Sequence, residues 1–252
     1  MSFEFLSQNE YRALIAFNNM AISMMEHCCY RQAYDTLKDA LSLLKNAAQS
    51  PKERKVSCDN AHLQALLEQA NRRAANPSVY RSSVTVHVIS CGETIRQDDL
   101  VDNEGPAVLK QATFVRIDEQ VLELLDEFHV ELHMSVILYN FAAAAICLAQ
   151  NTETSVNPVP LYDGAITTLS LSADFLTGLY NECDDRIIMQ NVASISELVL
   201  SLLAMVLGFR GRNEEAHSCT LKAAMFQSIA SELDEFSKLL DSYCMALAAP
   251  VA

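Results

Sequence analysis

Glycine and proline are scarce in this chain. Six of each occur in 252 residues, well below the average usage of roughly 7% and 5%. So few chain breakers, beside abundant Ala and Leu, argue against a fold of many tight turns and for a mostly helical one. Basic residues are also short: 18 Lys plus Arg face 32 Asp plus Glu, a formal net charge of −14. Phosphate backbones are held by Lys and Arg, so this balance disfavours direct nucleic-acid binding. It disfavours adhesion to an anionic membrane for the same reason. A basic partner is favoured, and an acidic surface also keeps a protein soluble. No Asn-x-Ser/Thr acceptor occurs, and the opening residues Met1-Ser2-Phe3-Glu4 hold no basic segment leading into an apolar one. The eight cysteines, Cys28, Cys29, Cys58, Cys91, Cys147, Cys183, Cys219 and Cys244, are therefore expected as reduced, mostly buried thiols of a cytoplasmic or nuclear protein.

Half the residues are hydrophobic, enough for one domain over 1–252 with a sizeable core. Apolar periodicity predicts helices over 8–26, with Ser7 as N-cap, over 30–47 and over 57–75. A Lys/Arg-rich break at Lys52, Arg54 and Lys55 separates the second from the third. Helical periodicity resumes over 121–150, as one helix or two. It continues from Pro160 or Leu161 to about 180, over 185–209, and over 213–230 and 232–248. Residues 78–118 form an insertion. Its runs Ser83–Ile89 and Thr113–Ile117 are β-branched and alternating, and are expected to pair as a small antiparallel β-hairpin that leans on the helices. The stretch Val192–Phe209 is apolar, but its uninterrupted part, Leu198–Phe209, falls short of the roughly 18–20 residues a membrane span needs. A buried core helix is expected there.

What is present most distinctively is a pattern near the N-terminus. Phe17, Met20-Ala21 and Met24 lie in the first helix; Tyr30, Ala33, Leu37 and Ala40 lie in the second. Ala21 and Ala33 mark where two antiparallel helices approach closest, and the larger side chains fill the space around that contact. In this register the stretch resembles a tetratricopeptide repeat (TPR). It departs from the pattern where Ala21 and Cys28 replace the repeat glycines and Lys45 stands at the usual proline. Two weaker echoes follow. Asn140-Phe141-Ala142 would begin a second hairpin, completed by a helix holding Ala165 and Leu169. Asn191-Val192-Ala193 would begin a third, completed by Ala216, Thr220 and Ala223. Both repeat the Asn-x-Ala element of Asn19-Met20-Ala21. The Ile137–Ala142 phrase and the Ala-Pro-x-Ala ending also resemble TPR-like proteins of diatoms and related algae, which supplies no function. The fold class implied is mainly α: degenerate TPR-like hairpins, as a solenoid or a compact bundle.

The resemblance implies a protein-interaction or scaffold role with no cofactor. Its first helices would line a groove, with Ile15, Asn18, Ile22 and Met25 as the partner-binding face. That face lacks the Lys and Arg of a carboxylate clamp, so an apolar helix or extended segment of a protein partner fits better. The groove is alternatively filled by the chain's own helices. A metal- or thiol-dependent enzyme is a second reading. His129 and His133 sit at i and i+4, a ligand pair that needs a third group from elsewhere. Cys28 and Cys29 follow His27, at a turn where small residues are expected. No phosphate-binding Gly-rich loop or nucleophile elbow is present. A third reading is a structural subunit of a larger assembly, with the helix over 187–209 packing on a partner.

Overall fold

The computed structural model describes residues 7–48, 60–74, 85–89, 113–117, 127–151 and 157–248. Seven helices and two strands occur among them: α1 Gln8–Glu26, α2 Tyr30–Ala48, α3 Asn60–Ala74, β1 Thr85–Ile89, β2 Thr113–Ile117, α4 Glu127–Asn151, α5 Val159–Glu182, α6 Arg186–Phe209 and α7 Asn213–Ala248. The basic break at 52–55, part of the 78–118 insertion, residues 121–126, and Cys58 and Cys91 lie outside the described residues.

Ser7 caps α1 as expected. Its hydroxyl accepts the Glu10 N–H, and the Glu10 carboxylate reaches back to the Ser7 N–H at 2.8 Å, a reciprocal capping box. The helix ends in a turn where Cys28 adopts a left-handed backbone, φ 58°. Cys29 N–H donates to the Met24 carbonyl and Cys28 N–H to the Met25 carbonyl. This closes the Schellman arrangement, which favours glycine at the left-handed position. The α6–α7 turn makes the same two bonds, from Arg212 to Leu207 and from Gly211 to Gly208, with Gly211 at φ 76°. Cys28 thus stands where the fold itself uses glycine elsewhere. A side chain at positive φ costs about 1–2 kcal/mol, and glycine returns about half of that as lost chain entropy. Cys28→Gly is expected to raise stability by about 0.5–1 kcal/mol, read as a higher urea midpoint. A lower midpoint would mean that the thiol's contacts outweigh the backbone strain.

The helices pack as consecutive hairpins. α1 lies on α2, α4 on α5 and α6 on α7, while α2 also packs on α4 and α5 on α6. α1 touches α4, and α4 touches α6, so the first helices of the three hairpins form a row. Small residues sit at these contacts: Ala21, Ala33, Ala40, Ala142, Ala165 and Ala193 are all fully buried. Tyr34 stacks on Phe141 at 4.9 Å between ring centroids, tying α2 to α4. Ser172 on α5 donates to the Ser135 carbonyl of α4 at 3.0 Å. One hydrophobic cluster runs through α1 to α6 and β2.

Two expectations need correction. Residues 213–248 form a single helix, not two. No Gly or Pro interrupts them, and Ser231 donates to the Gln227 carbonyl rather than capping a new helix. The two strands also pair in parallel, from Thr85 opposite Thr113 to Ile89 opposite Ile117, and so make no hairpin. A parallel pair needs a crossover of about a dozen residues or more, and residues 90–112 are long enough to supply it.

Among the described residues, two helices suffice by length and composition to cross a membrane, over His129–Asn151 and Arg186–Phe209. The second was expected to fall short; its full length tolerates the polar side chains of its N-terminal half. Within this fold 94% and 67% of their most apolar windows are buried, the behaviour of core helices. In α6, Glu197 Oε2 is buried with no hydrogen-bond partner. Burial raises this carboxyl above its ordinary value. A raised folded-state pKa favours the protonated acid. The associated stability is complete below the unfolded-state value and is lost as pH rises through the folded one. Glu197→Gln is neutral throughout, so it should gain stability relative to the native chain as pH rises above the unfolded-state Glu value of about 4.3. Paired urea unfolding curves read this difference, and a gap that stays constant with pH would sink it.

Candidate functional site

Ile15, Asn18, Ile22 and Met25 share a face of α1, but that face is not an open groove. All four are buried, the most exposed at 1%. α1 is covered by α2, α3, α4 and β2, and Asn18 bonds directly to β2. The chain's own elements fill the surface expected for a partner, so Ile15, Ile22 and Met25 serve as core.

The covering strand is held in an unusual way for a sheet. One edge of β2 pairs with β1. Its other edge meets no strand among the described residues; side chains from α1 and α4 take the ladder bonds. Asn140 accepts the Val115 N–H at 3.0 Å and donates to the Val115 carbonyl at 2.7 Å. Asn19 does the same for Ile117, accepting its N–H at 3.1 Å and donating to its carbonyl at 2.7 Å. A carboxamide has an acceptor and a donor side by side, so it satisfies one extended residue as a neighbouring strand would. Asn18 adds a bond to the Val115 carbonyl at 3.2 Å, and Tyr139 donates to the Thr113 carbonyl at 3.0 Å. Asn140 also donates to Asn18 Oδ1 at 2.8 Å, which fixes the orientation of both amides.

The contacts therefore fall on residues 113, 115 and 117, the two-residue period of an extended chain. They read backbone, which any sequence carries. Side-chain contacts add selectivity. Phe114, Val115 and Ile117 are fully buried. Arg116 extends to the end of α1, where its guanidinium donates to Ser23 Oγ and pairs with Glu26, each at 3.2 Å. That pair is about one-third exposed on each side, so its stabilising effect is modest, on the order of 1 kcal/mol or less.

The other candidates are placed less favourably for chemistry. His133 is buried, and its Nδ1 makes a short hydrogen bond with the Tyr11 hydroxyl, a link from α4 to α1. His129 lies 6.4 Å from it between ring centroids. Among the described residues no three His, Cys, Asp or Glu side chains converge as a metal would require. Cys29 is buried with its thiol directed at the His27 carbonyl, 3.6 Å away. Cys28, Cys29, Cys147, Cys183 and Cys219 are reduced thiols. Burial pushes the Cys147 thiol up to about 12, which makes it a poor nucleophile at neutral pH.

Asn19, Asn140, Tyr139 and Arg116 were not singled out as site residues from the sequence. The signal available was the recurrence of Asn-x-Ala at Asn19, Asn140 and Asn191, which marks equivalent positions without stating what an asparagine there does. The arrangement defines a class: a mainly helical protein of consecutive hairpins that holds an extended segment by carboxamide brackets. Comparison with protein-family models, curated proteins and solved structures returns no match.

Proposed function

We propose that this protein is a protein-interaction module whose α1/α4 groove binds an extended polypeptide segment, and that β2 occupies that groove in cis. The carrying observation is the pair of carboxamide brackets, Asn19 on Ile117 and Asn140 on Val115. Strand addition of this kind draws affinity from main-chain hydrogen bonds and specificity from alternate side chains. The three hairpins with Asn-x-Ala in their first helices support a TPR-like reading of the scaffold. The partner is then a protein and needs no nucleic acid, membrane or cofactor. Net charge of −14, with Glu26 at the position that meets Arg116, favours a basic ligand residue.

The test is displacement of the cis strand. Val115→Pro in the full chain removes the N–H that Asn140 accepts, which loosens β2. A fluorescein-labelled peptide reproducing residues 109–119 should bind this variant measurably, and the native chain far more weakly, because the tethered strand competes at an effective concentration in about the millimolar range. Asn19→Ala in the variant should lower affinity about tenfold. A variant that is folded by circular dichroism yet binds no peptide would overturn the reading.

A further inference from the structure

α1 and α4 run side by side in the same direction and in one fixed register. Tyr11 bonds to His133 and Asn18 to Asn140, and both partnerships span 122 residues of chain. Within each helix the two positions are seven residues apart, which is two turns along one face. Carried one step further, the register sets Cys147 opposite Met25, seven residues beyond Asn140 and Asn18. All six residues are buried, so the seam is closed along this length. α1 ends one residue after Met25, and in the turn that follows the Cys28 N–H donates to the Met25 carbonyl. Cys147 is therefore level with the turn that holds Cys28. The two thiols lie within electrostatic reach of each other: burial first, and then the Cys28 thiol, raise the Cys147 pKa. Their exposures differ, Cys28 being half-buried and Cys147 buried.

We propose that Cys28 is an oxidation site and that Cys147 resolves it, forming a disulfide that joins the α1–α2 turn to α4. The oxidant is a peroxide. The Cys28 sulfur attacks one peroxide oxygen; an S–O bond forms and the O–O bond breaks. The other oxygen takes up the thiol proton and leaves as water, and Cys28 becomes a sulfenic acid. The Cys147 sulfur then attacks the Cys28 sulfur. The S–S bond forms, the S–O bond breaks, and the departing hydroxyl carries off the Cys147 proton as a second water. Two thiols lose two electrons, and one hydrogen peroxide becomes two waters. Cys147 need not meet the oxidant. It acts on a sulfenic sulfur held beside it, and that intramolecular step offsets its weak nucleophilicity. Cys29 is placed less well for this role. Its thiol is directed at the His27 carbonyl and its N–H is fixed to the Met24 carbonyl. Neighbouring Cα atoms are also only about 3.8 Å apart, short of the roughly 4.4–6.8 Å of ordinary disulfides. The bridge locks together the two helices that hold β2 through Asn19 and Asn140, whether or not their groove takes a ligand in trans.

The experiment uses the full chain, reduced and then treated with hydrogen peroxide. After catalase removes the oxidant, the remaining thiols are alkylated in urea and the chain is digested without reductant. Mass spectrometry should find the Cys28 peptide linked to the Cys147 peptide, and dithiothreitol should separate the two. The oxidised chain should also unfold at a higher urea concentration than the reduced chain, because the bridge closes a long loop of unfolded polypeptide. Cys28→Gly suits the backbone of this turn, so it should fold and lose both the link and the shift. Cys147→Ala should lose the link as well, and the peptide map of the native chain decides the matter should that variant not fold. Cys28 recovered as a sulfinic acid or joined to Cys29, with Cys147 alkylated, overturns the proposal. So does a Cys28 that peroxide leaves untouched.

Discussion

Asn140→Ala should destabilise the fold by about 3–4 kcal/mol, a substantial share of the roughly 5–15 kcal/mol that holds a typical domain folded. The substitution deletes the acceptor for the Val115 N–H and the donor to Asn18 Oδ1, and one of two donors to the Val115 carbonyl. Asn140, Asn18 and Val115 are all fully buried, so water does not replace the lost partners. Each orphaned group costs about 1–3 kcal/mol. Asn140→Asp separates hydrogen bonding from shape. It keeps an acceptor for the Val115 N–H but turns a carboxylate oxygen toward the Val115 carbonyl and Asn18 Oδ1. Only the protonated acid can donate there, so the folded state raises this carboxyl's pKa. The Asp variant should therefore regain stability as pH falls and lose it as pH rises through the folded-state value. Urea unfolding at acidic and neutral pH measures both effects. A cost for Asn140→Ala below about 1 kcal/mol would mean that β2 is solvated at this edge and is not held by the bracket.

Phe17→Ala should cost about 3–5 kcal/mol through the void it leaves in the first hairpin. Phe17 is fully buried, among Ala21, Ala33 and Leu37 with which it shares the core cluster. Helix backbones held close at Ala21 and Ala33 cannot collapse far into such a space. Phe17→Leu, which keeps most of the volume, should recover more than half of the loss. Chemical denaturation of the pair decides this: equal effects of Ala and Leu would indicate that the aromatic ring, rather than filled volume, is what the site requires.

These two residues differ in how well the sequence announces them. Phe17 belongs to a local pattern. Its spacing to Met20, Ala21 and Met24 is that of one helix face, and the bounds of α1 and the Ser7 cap follow from the same few residues. The partnership of α4 with α5, and of α6 with α7, was legible because short connections join them and small residues recur at the contacts. Asn140 shares with Asn19 and Asn191 only the Asn-x-Ala recurrence, which marks a position and not a partner. Its partner Val115 lies 25 residues away and Asn18 lies 122 away. An asparagine in an apolar helix reads as a lone polar residue until the segment it brackets is in place. The β-branched alternation of 113–117 marked a strand but carried no statement of direction. Pairing sense depends on the crossover between strands, and the side chains that cap an edge come from elsewhere in the fold.

The sequence by itself determined the helical class, most helix bounds, the hairpin pairs and the apolar face of α1. Tertiary structure alone decided what covers that face. Ile15, Asn18, Ile22 and Met25 were readable as a surface awaiting apolar company, and that company comes from the elements that cover α1, namely α2, α3, α4 and β2, rather than from a partner. Periodicity records which side of a helix avoids water. It does not record whether the shelter comes from the same chain or from another, because the apolar burial that drives both is non-directional. The directional part lies in the carboxamide brackets, and those exist only once residues distant in sequence are brought within hydrogen-bonding reach.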